Sequence, residues 1–169
     1  MNSELNSPKN TTLELDEIDL RLLQALQTDA SPSNQTLAAQ VHVSPPTCLR
    51  RVKRLHDLGL IERQVAILNA DRLKAVIGAG LTAIVEVSLT EQTQETLAAF
   101  EARVLPDAQV QQCYRVSPGP DVILIVQVQD MPEYLLLAQK LFTQDAKVRN
   151  VKAFFSVKRA KFSTALSWI

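Results

Sequence analysis

The sequence predicts an α+β fold in two parts, and three observations predict it. Apolar residues recur at helical spacing up to Leu58. Beyond Gly59 the dominant pattern is alternation, broken by two further helical stretches. The elements of that second part run strand, helix, strand, strand, helix, strand, which is the ferredoxin-like βαββαβ plan.

The first helix starts at Asp16, a good N-cap with Asp19 three residues on, and Ile18, Leu22, Ala25 and Leu26 form its apolar stripe. Thr28-Asp29-Ala30-Ser31-Pro32 breaks it. Ser33 caps a short second helix whose apolar side is Leu37, Ala38 and Val41. Ser44 followed by Pro45 is a strong start for a third helix, and Gly59 supplies the left-handed residue that ends it. Its apolar positions are Cys48, Leu49, Val52 and Leu55. Leu60 to Asn69 reads as an extended strand or hinge. Leu81, Ala83, Val85, Val87 and Leu89 then alternate along a strand, and Leu97, Phe100 and Val104 mark a helix. Val110 to Val116 is a second strand. Ser117-Pro118-Gly119-Pro120-Asp121 reads as a tight type II turn. Val122 to Val126 is apolar on both faces, as in a central strand. Tyr134, Leu135, Ala138, Leu141 and Phe142 give a helix, and Val151, Ala153, Phe155 and Val157 a last strand. The resulting division is a flexible tail over 1–13, a helical head over 14–62, a linker strand or hinge over 63–78, a βαββαβ domain over 79–158 and an extension over 159–169 that no pattern places.

Composition narrows the function. The 169 residues carry 18 basic and 18 acidic side chains, so the formal charge is zero and bulk positive charge cannot drive nucleic-acid coating. Aromatic residues are 5%, too few for a single-strand binder that stacks bases. No apolar run reaches the roughly 20 residues a membrane span needs, and the polar N-terminus has no signal-peptide core. Two cysteines, Cys48 and Cys113, do not make a disulfide scaffold, so a reducing cytoplasmic setting is expected, with both thiols as small buried apolar groups. Two histidines and no CxxC leave little for a metal, and no cofactor is expected.

The strongest signal is the third helix. Arg50, Arg51, Lys53 and Arg54 are four cations within five residues, and Thr47, Arg50, Arg51 and Arg54 share one face at i, i+3, i+4, i+7. Such a helix packs by Leu49, Val52 and Leu55 and offers guanidinium groups on the other side. A clustered basic face can simply be solvated. Three short helices with a basic third one favour a helix-turn-helix that lays its last helix in the major groove, where arginine pairs with guanine or grips phosphate.

The stretch Ser44-Pro45-Pro46-Thr47-Cys48-Leu49-Arg50-Arg51-Val52-Lys53-Arg54-Leu55 with Gly59-Leu60-Ile61, and the opening Leu15-Asp16-Glu17-Ile18-Asp19, resemble the Lrp/AsnC (feast/famine) bacterial transcription regulators. The resemblance runs over about residues 14–158. It implies a winged helix-turn-helix, a linker strand and a βαββαβ sensing and oligomerisation domain. It further implies sheet-paired homodimers, often with the linker strand swapped, that assemble to octamers and bind an amino acid between dimers. Ser44, Thr47, Arg50, Arg51 and Arg54 become the expected contacts to a pseudo-palindromic double-stranded operator.

By the same resemblance, Ser117, Gly119, Pro120, Asp121 and Val122 fall in the effector loop, with Ser156 across the dimer contact. A glycine turn offers backbone N–H groups to a carboxylate, and Asp121 offers an acceptor to an ammonium; a plain hairpin would use the same residues. Pro118 stands where the family usually has Gly, and the two prolines remove two donors. Phe154 stands where several members have Thr, which points to an apolar effector such as leucine or methionine. His42 replaces the Gly of the helix-to-helix turn and reads as structural. His56 suits phosphate or solvent. Tyr114 and Arg115 suit the ligand site or sheet packing. Two other readings compete: an Lrp-like enzyme of the sirohaem decarboxylase kind, disfavoured because both histidines precede residue 60, and a DNA-free amino-acid sensor, disfavoured by the intact basic helix. No catalytic residue is expected.

Overall fold

The computed structural model describes residues 14–78 and 80–167. The tail expected over 1–13 lies outside them. The chain divides into two units, Met1–Ala66 with Phe162–Ile169, and Ile67–Lys161.

The first unit is a trihelical head. Helix α1 (Glu17–Thr28) opens with a capping box. Asp16 Oδ1 accepts the Asp19 N–H at 2.9 Å, and Asp19 Oδ2 accepts the Asp16 N–H at 3.4 Å. Helix α2 (Asn34–Gln40) is capped by Ser33, and α3 (Pro45–Asp57) begins at Ser44 with Pro45 inside its first turn. Ser44 Oγ caps no backbone group but pairs with Thr47 Oγ1 at 2.8 Å. The core is Leu22, Leu37, Ala38, Val41, Cys48 and Leu55. The described residues of the head contain no strand.

The α2–α3 turn is a Schellman motif. Val43 N–H donates to Ala38 O at 3.0 Å and His42 N–H to Ala39 O at 3.3 Å. His42 sits at φ 59°, where a side chain crowds the backbone. Replacing it with glycine should raise head stability by about 1 kcal/mol, read as a higher unfolding midpoint; an unchanged or lower midpoint counts against this account. The same hydrogen-bond pattern closes α3, with Gly59 at φ 70°.

The linker differs from expectation. Residues 62–69 carry no strand, and Ala70–Ile77 form helix α4, where Asn69 Oδ1 accepts the Arg72 N–H at 3.0 Å and Gly78 ends the helix. A strand exists only by pairing, and this segment finds no strand partner among the described residues.

The second unit confirms the βαββαβ order: β1 (Leu81–Leu89), α5 (Gln94–Val104), β2 (Val110–Arg115), β3 (Val122–Val128), α6 (Met131–Ala138) and β4 (Val148–Phe155). The sheet is antiparallel in the order β2-β3-β1-β4. Residues 83, 85, 87 and 89 of β1 and 122, 124 and 126 of β3 point into one core with Phe100, Val104, Leu137 and Leu141. A π-helical turn, Gln139–Thr143, follows α6, and the adjacent Leu141 and Phe142 are both buried there. The other sheet face stays open. Across it the register aligns Gln112, Ile125, Ile84 and Phe154 in one row and Tyr114, Ile123, Glu86 and Lys152 in the next.

Candidate nucleic-acid interface and effector loop

Helix α3 buries Cys48 and Leu55 and half-buries Val52, so the exposed side, one helical face away, carries Pro46, Leu49, Arg50 and Lys53. Leu49, expected in the core, is 62% exposed. The reason is angular: Cys48, Val52 and Leu55 already define the inward stripe, and residue 49 lies 100° from residue 48.

The arginines divide accordingly. Arg51 Nη1 donates to Asp16 Oδ2 at 2.7 Å and to Asp19 Oδ1 at 2.8 Å, and its side chain is 18% exposed. Arg54 Nη1 reaches Asp19 Oδ2 at 2.8 Å and Nη2 reaches Glu14 O at 2.9 Å. The Asp19 side chain is only 2% exposed. A carboxylate so enclosed is tolerable because two guanidinium groups and a backbone N–H compensate it. Hydrogen bonding by the Asp19 N–H, then by Arg51, holds the Asp16 carboxyl below the usual carboxylate range, and the two aspartates push the Arg51 guanidinium up. Arg51 and Arg54, expected at the duplex, therefore clamp α3 to the start of α1. Arg50 and Lys53 are exposed, and no ion pair or hydrogen bond engages their side chains among the described residues. The acidic pair at the start of the first helix claims Arg51 and Arg54 for the head. At the N-terminal end of α3, Ser44 is exposed and Thr47 half-buried, and Asn34 Nδ2 donates to Pro45 O at 2.9 Å, tying α2 to α3.

The loop between β2 and β3 is not the four-residue turn expected. Val116 N–H donates to Asp121 O at 3.2 Å, closing a six-residue loop with a cis Ser117–Pro118 bond and Gly119 at φ 123°. Ser117 and Gly119 are exposed and Pro120 half-buried. Val122 is fully buried, so its side chain belongs to the core and not to a loop site. Asp121 is 8% exposed, its N–H donates to Val87 O, and its Oδ2 accepts the Leu89 N–H at 2.7 Å. The carboxylate thus prolongs the β1–β3 ladder past its last pair, Val87 with Val122.

Ser156, exposed after β4, donates its N–H to Thr82 O. Thr82 and Leu89 lie at opposite ends of β1, about 23 Å apart at 3.3 Å per residue. Within one chain Ser156 and the loop therefore do not meet. Arg115 is held by Glu101 and by Gln94 Oε1 at 2.7 Å, and Tyr114 is exposed on the open sheet face. Burial pushes the Cys48 and Cys113 thiols up. No metal-binding cluster occurs among the described residues, and no helix there is long and apolar enough to cross a membrane.

A helix-turn-helix with free cations on its last helix, joined to a βαββαβ domain, defines a transcription regulator with a DNA-binding part and a ligand-binding part. The family models agree: the AsnC-type helix-turn-helix domain matches residues 15–56 and the Lrp/AsnC ligand binding domain residues 82–166. The Bkd operon transcriptional regulator of Pseudomonas aeruginosa is 34% identical over 90% of this chain and 97% of its own length. The leucine-responsive regulatory protein of Salmonella typhimurium is 32% identical over 96% of both chains. Among solved structures, a transcriptional regulator from Neisseria meningitidis in complex with L-Met superposes with TM-score 0.79 at 27% identity, covering 90% of this chain and 96% of that one. The chain belongs to the Lrp/AsnC family of transcriptional regulators.

Proposed function

We propose that this regulator is cytoplasmic, reads a pseudo-palindromic operator through paired heads, and answers to an amino-acid effector, leucine or methionine. The observation that carries the DNA-reading part is the division of labour on α3. Two arginines fix the helix, and Arg50 and Lys53, with Leu49 beside them, face outward. Ser44, Thr47, Arg50 and Lys53 contact the duplex in this reading, and Arg51 and Arg54 orient the helix.

The effector part rests on the loop around Ser117, Gly119, Pro120 and Asp121. Because Ser156 stands at the far end of the sheet, a site that uses both draws them from two chains. The open face with Ile84, Tyr114 and Phe154, and the exposed linker residues Val65, Ile67 and Leu68, support a homodimer, with dimers assembling to an octamer. The names and contents of two relatives, leucine-responsive in one and L-Met-bound in the other, agree with the apolar Phe154 beside the Ser156 position.

A thermal-shift screen of the twenty amino acids, run with light scattering, tests this. Leucine or methionine should raise the unfolding midpoint and change the particle size; no response to any of the twenty overturns the effector reading. Asp121→Ala removes the Leu89 N–H acceptor as well as the ammonium acceptor, so it should cost about 1–3 kcal/mol of stability before any effector is added. Asp121→Asn keeps the acceptor for Leu89 and loses the charge. It should fold normally and lose the effector shift, and a normal shift in that variant counts against Asp121 as the ammonium partner.

A further inference from the structure

Two local irregularities of the second unit meet at one cleft. The first ends α6: Gln144 N–H reaches back five residues to Gln139 O at 3.2 Å, and Gln139–Thr143 forms the π-helical turn. Such turns are rare and collect at functional sites. The second opens β4. Leu89 pairs with Val148 and Ser88 with Asn150, which leaves Arg149 as the extra residue of a β-bulge. A bulge re-aims a side chain out of strict alternation. Both irregularities border a cleft of about 310 Å³. Phe142, Val148 and Val151 give it an apolar wall, and Asp145 and Arg149 are its charged members. These two charges are not equivalent. Asp145 is already engaged: its Oδ1 accepts the Lys147 N–H at 2.9 Å and its Oδ2 pairs with Arg103 Nη1. That pair sums to zero charge. The Arg103 guanidinium, 5.2 Å from the centre of the Phe100 ring, also keeps Nε and Nη2 buried with no acceptor among the described residues. Arg149 is exposed, and no ion pair or hydrogen bond engages its side chain among the described residues. The cleft therefore presents one unengaged planar fork, an apolar wall and no free carboxylate to receive a cation.

We infer that this cleft binds a small aliphatic monocarboxylate that carries no ammonium group, with the carboxylate on Arg149 and the chain against Phe142, Val148 and Val151. A guanidinium fork pairs bidentately with a carboxylate, and a volume of about 310 Å³ stands at the small end of ligand sites. The site goes beyond the amino-acid effector reading and stands without it. None of Ser117, Gly119, Pro120, Asp121 and Ser156 lines the cleft. An amino acid needs an acceptor for its ammonium, and the one carboxylate here is taken by Arg103.

The test uses the full-length protein and 4-methylpentanoate, which has the carbon skeleton of leucine without the ammonium group. Saturation-transfer NMR should show the methyl groups of the acid in contact with the protein. Arg149→Ala should weaken binding about 10- to 100-fold, the loss of a charge-assisted pair. Its melting midpoint should not move, because the Arg149 side chain holds nothing else among the described residues. Arg149→Lys should recover only part of the affinity, since an ammonium offers a point charge in place of the fork. Asp121→Asn should leave acid binding unchanged, and excess leucine should not displace the acid. No transfer to the acid in the parent chain overturns the site, and so does an unchanged affinity in Arg149→Ala. Displacement by leucine would move the acid to the effector loop and overturn the cleft. Loss of the leucine response with acid binding intact would instead strike the effector reading alone.

Discussion

Replacing Arg51 with alanine is expected to melt the head. The guanidinium bridges Asp16 and Asp19, and its loss leaves Asp19, almost fully enclosed, with Arg54 as its remaining cationic partner. Removing one member of a buried ion pair costs about 3–5 kcal/mol, and the surviving Arg54 contact places this case at about 3 kcal/mol. For a domain of this size each kcal/mol moves the midpoint by about 4–8 °C, so the head transition in a circular-dichroism melt should fall by roughly 12–24 °C. Arg51→Lys should recover little of it, because an ammonium cannot span two carboxylates with the same planar fork. Arg50→Ala, an exposed change one residue away, should stay within about 0.5 kcal/mol. If both variants melt alike, the assignment of Arg51 to the head is wrong.

The second large effect is on the duplex. Arg50→Ala with Lys53→Ala should weaken operator binding by about 2–4 kcal/mol per head, roughly 30- to 1000-fold, at unchanged stability. The arithmetic combines one lost base or phosphate fork with one lost phosphate contact. A gel-shift titration with unchanged affinity would remove α3's outward face from the interface. Read together, the two experiments separate cations that build the head from cations that touch DNA, a distinction that net charge or clustering alone cannot make.

Much of this was legible in the sequence, for physical reasons that differ by element. Caps and breakers are local, so Asp16, Ser33, Ser44 with Pro45, His42 and Gly59 announced the helix ends, and alternation announced β1 and β4. Burial of β3 on its inner face followed from an unbroken apolar run. The clamp of Arg51 and Arg54 on Asp19 was hidden because it joins residues 32 and 35 positions apart, and helical spacing alone gave them the same face as Arg50. Leu49 was misplaced for the complementary reason: its hydrophobicity suggested an interior position that the angular stripe of Cys48, Val52 and Leu55 had already filled. Helix α4 escaped notice because the alternation of residues 61–69 dominated the window. Asp121 was read for its charge, and only the register of β1 against β3 shows the same carboxylate completing a ladder. The extension over 159–169 has no periodicity to read, and Leu166 within it is held by a glutamine 139 residues earlier.

That last separation has a consequence for how the protein is made. Leu166 seats on Gln27, so synthesis must run 139 residues past Gln27 before the piece that pairs with it exists. At about 5–20 residues per second, that wait is roughly 7–28 s after α1 has been translated. A polypeptide cut short inside the sensing domain, or clipped at its end afterwards, still carries three helices but lacks Leu166. The pairing of Gln27 with Leu166 therefore forms only in molecules translated through all of β4.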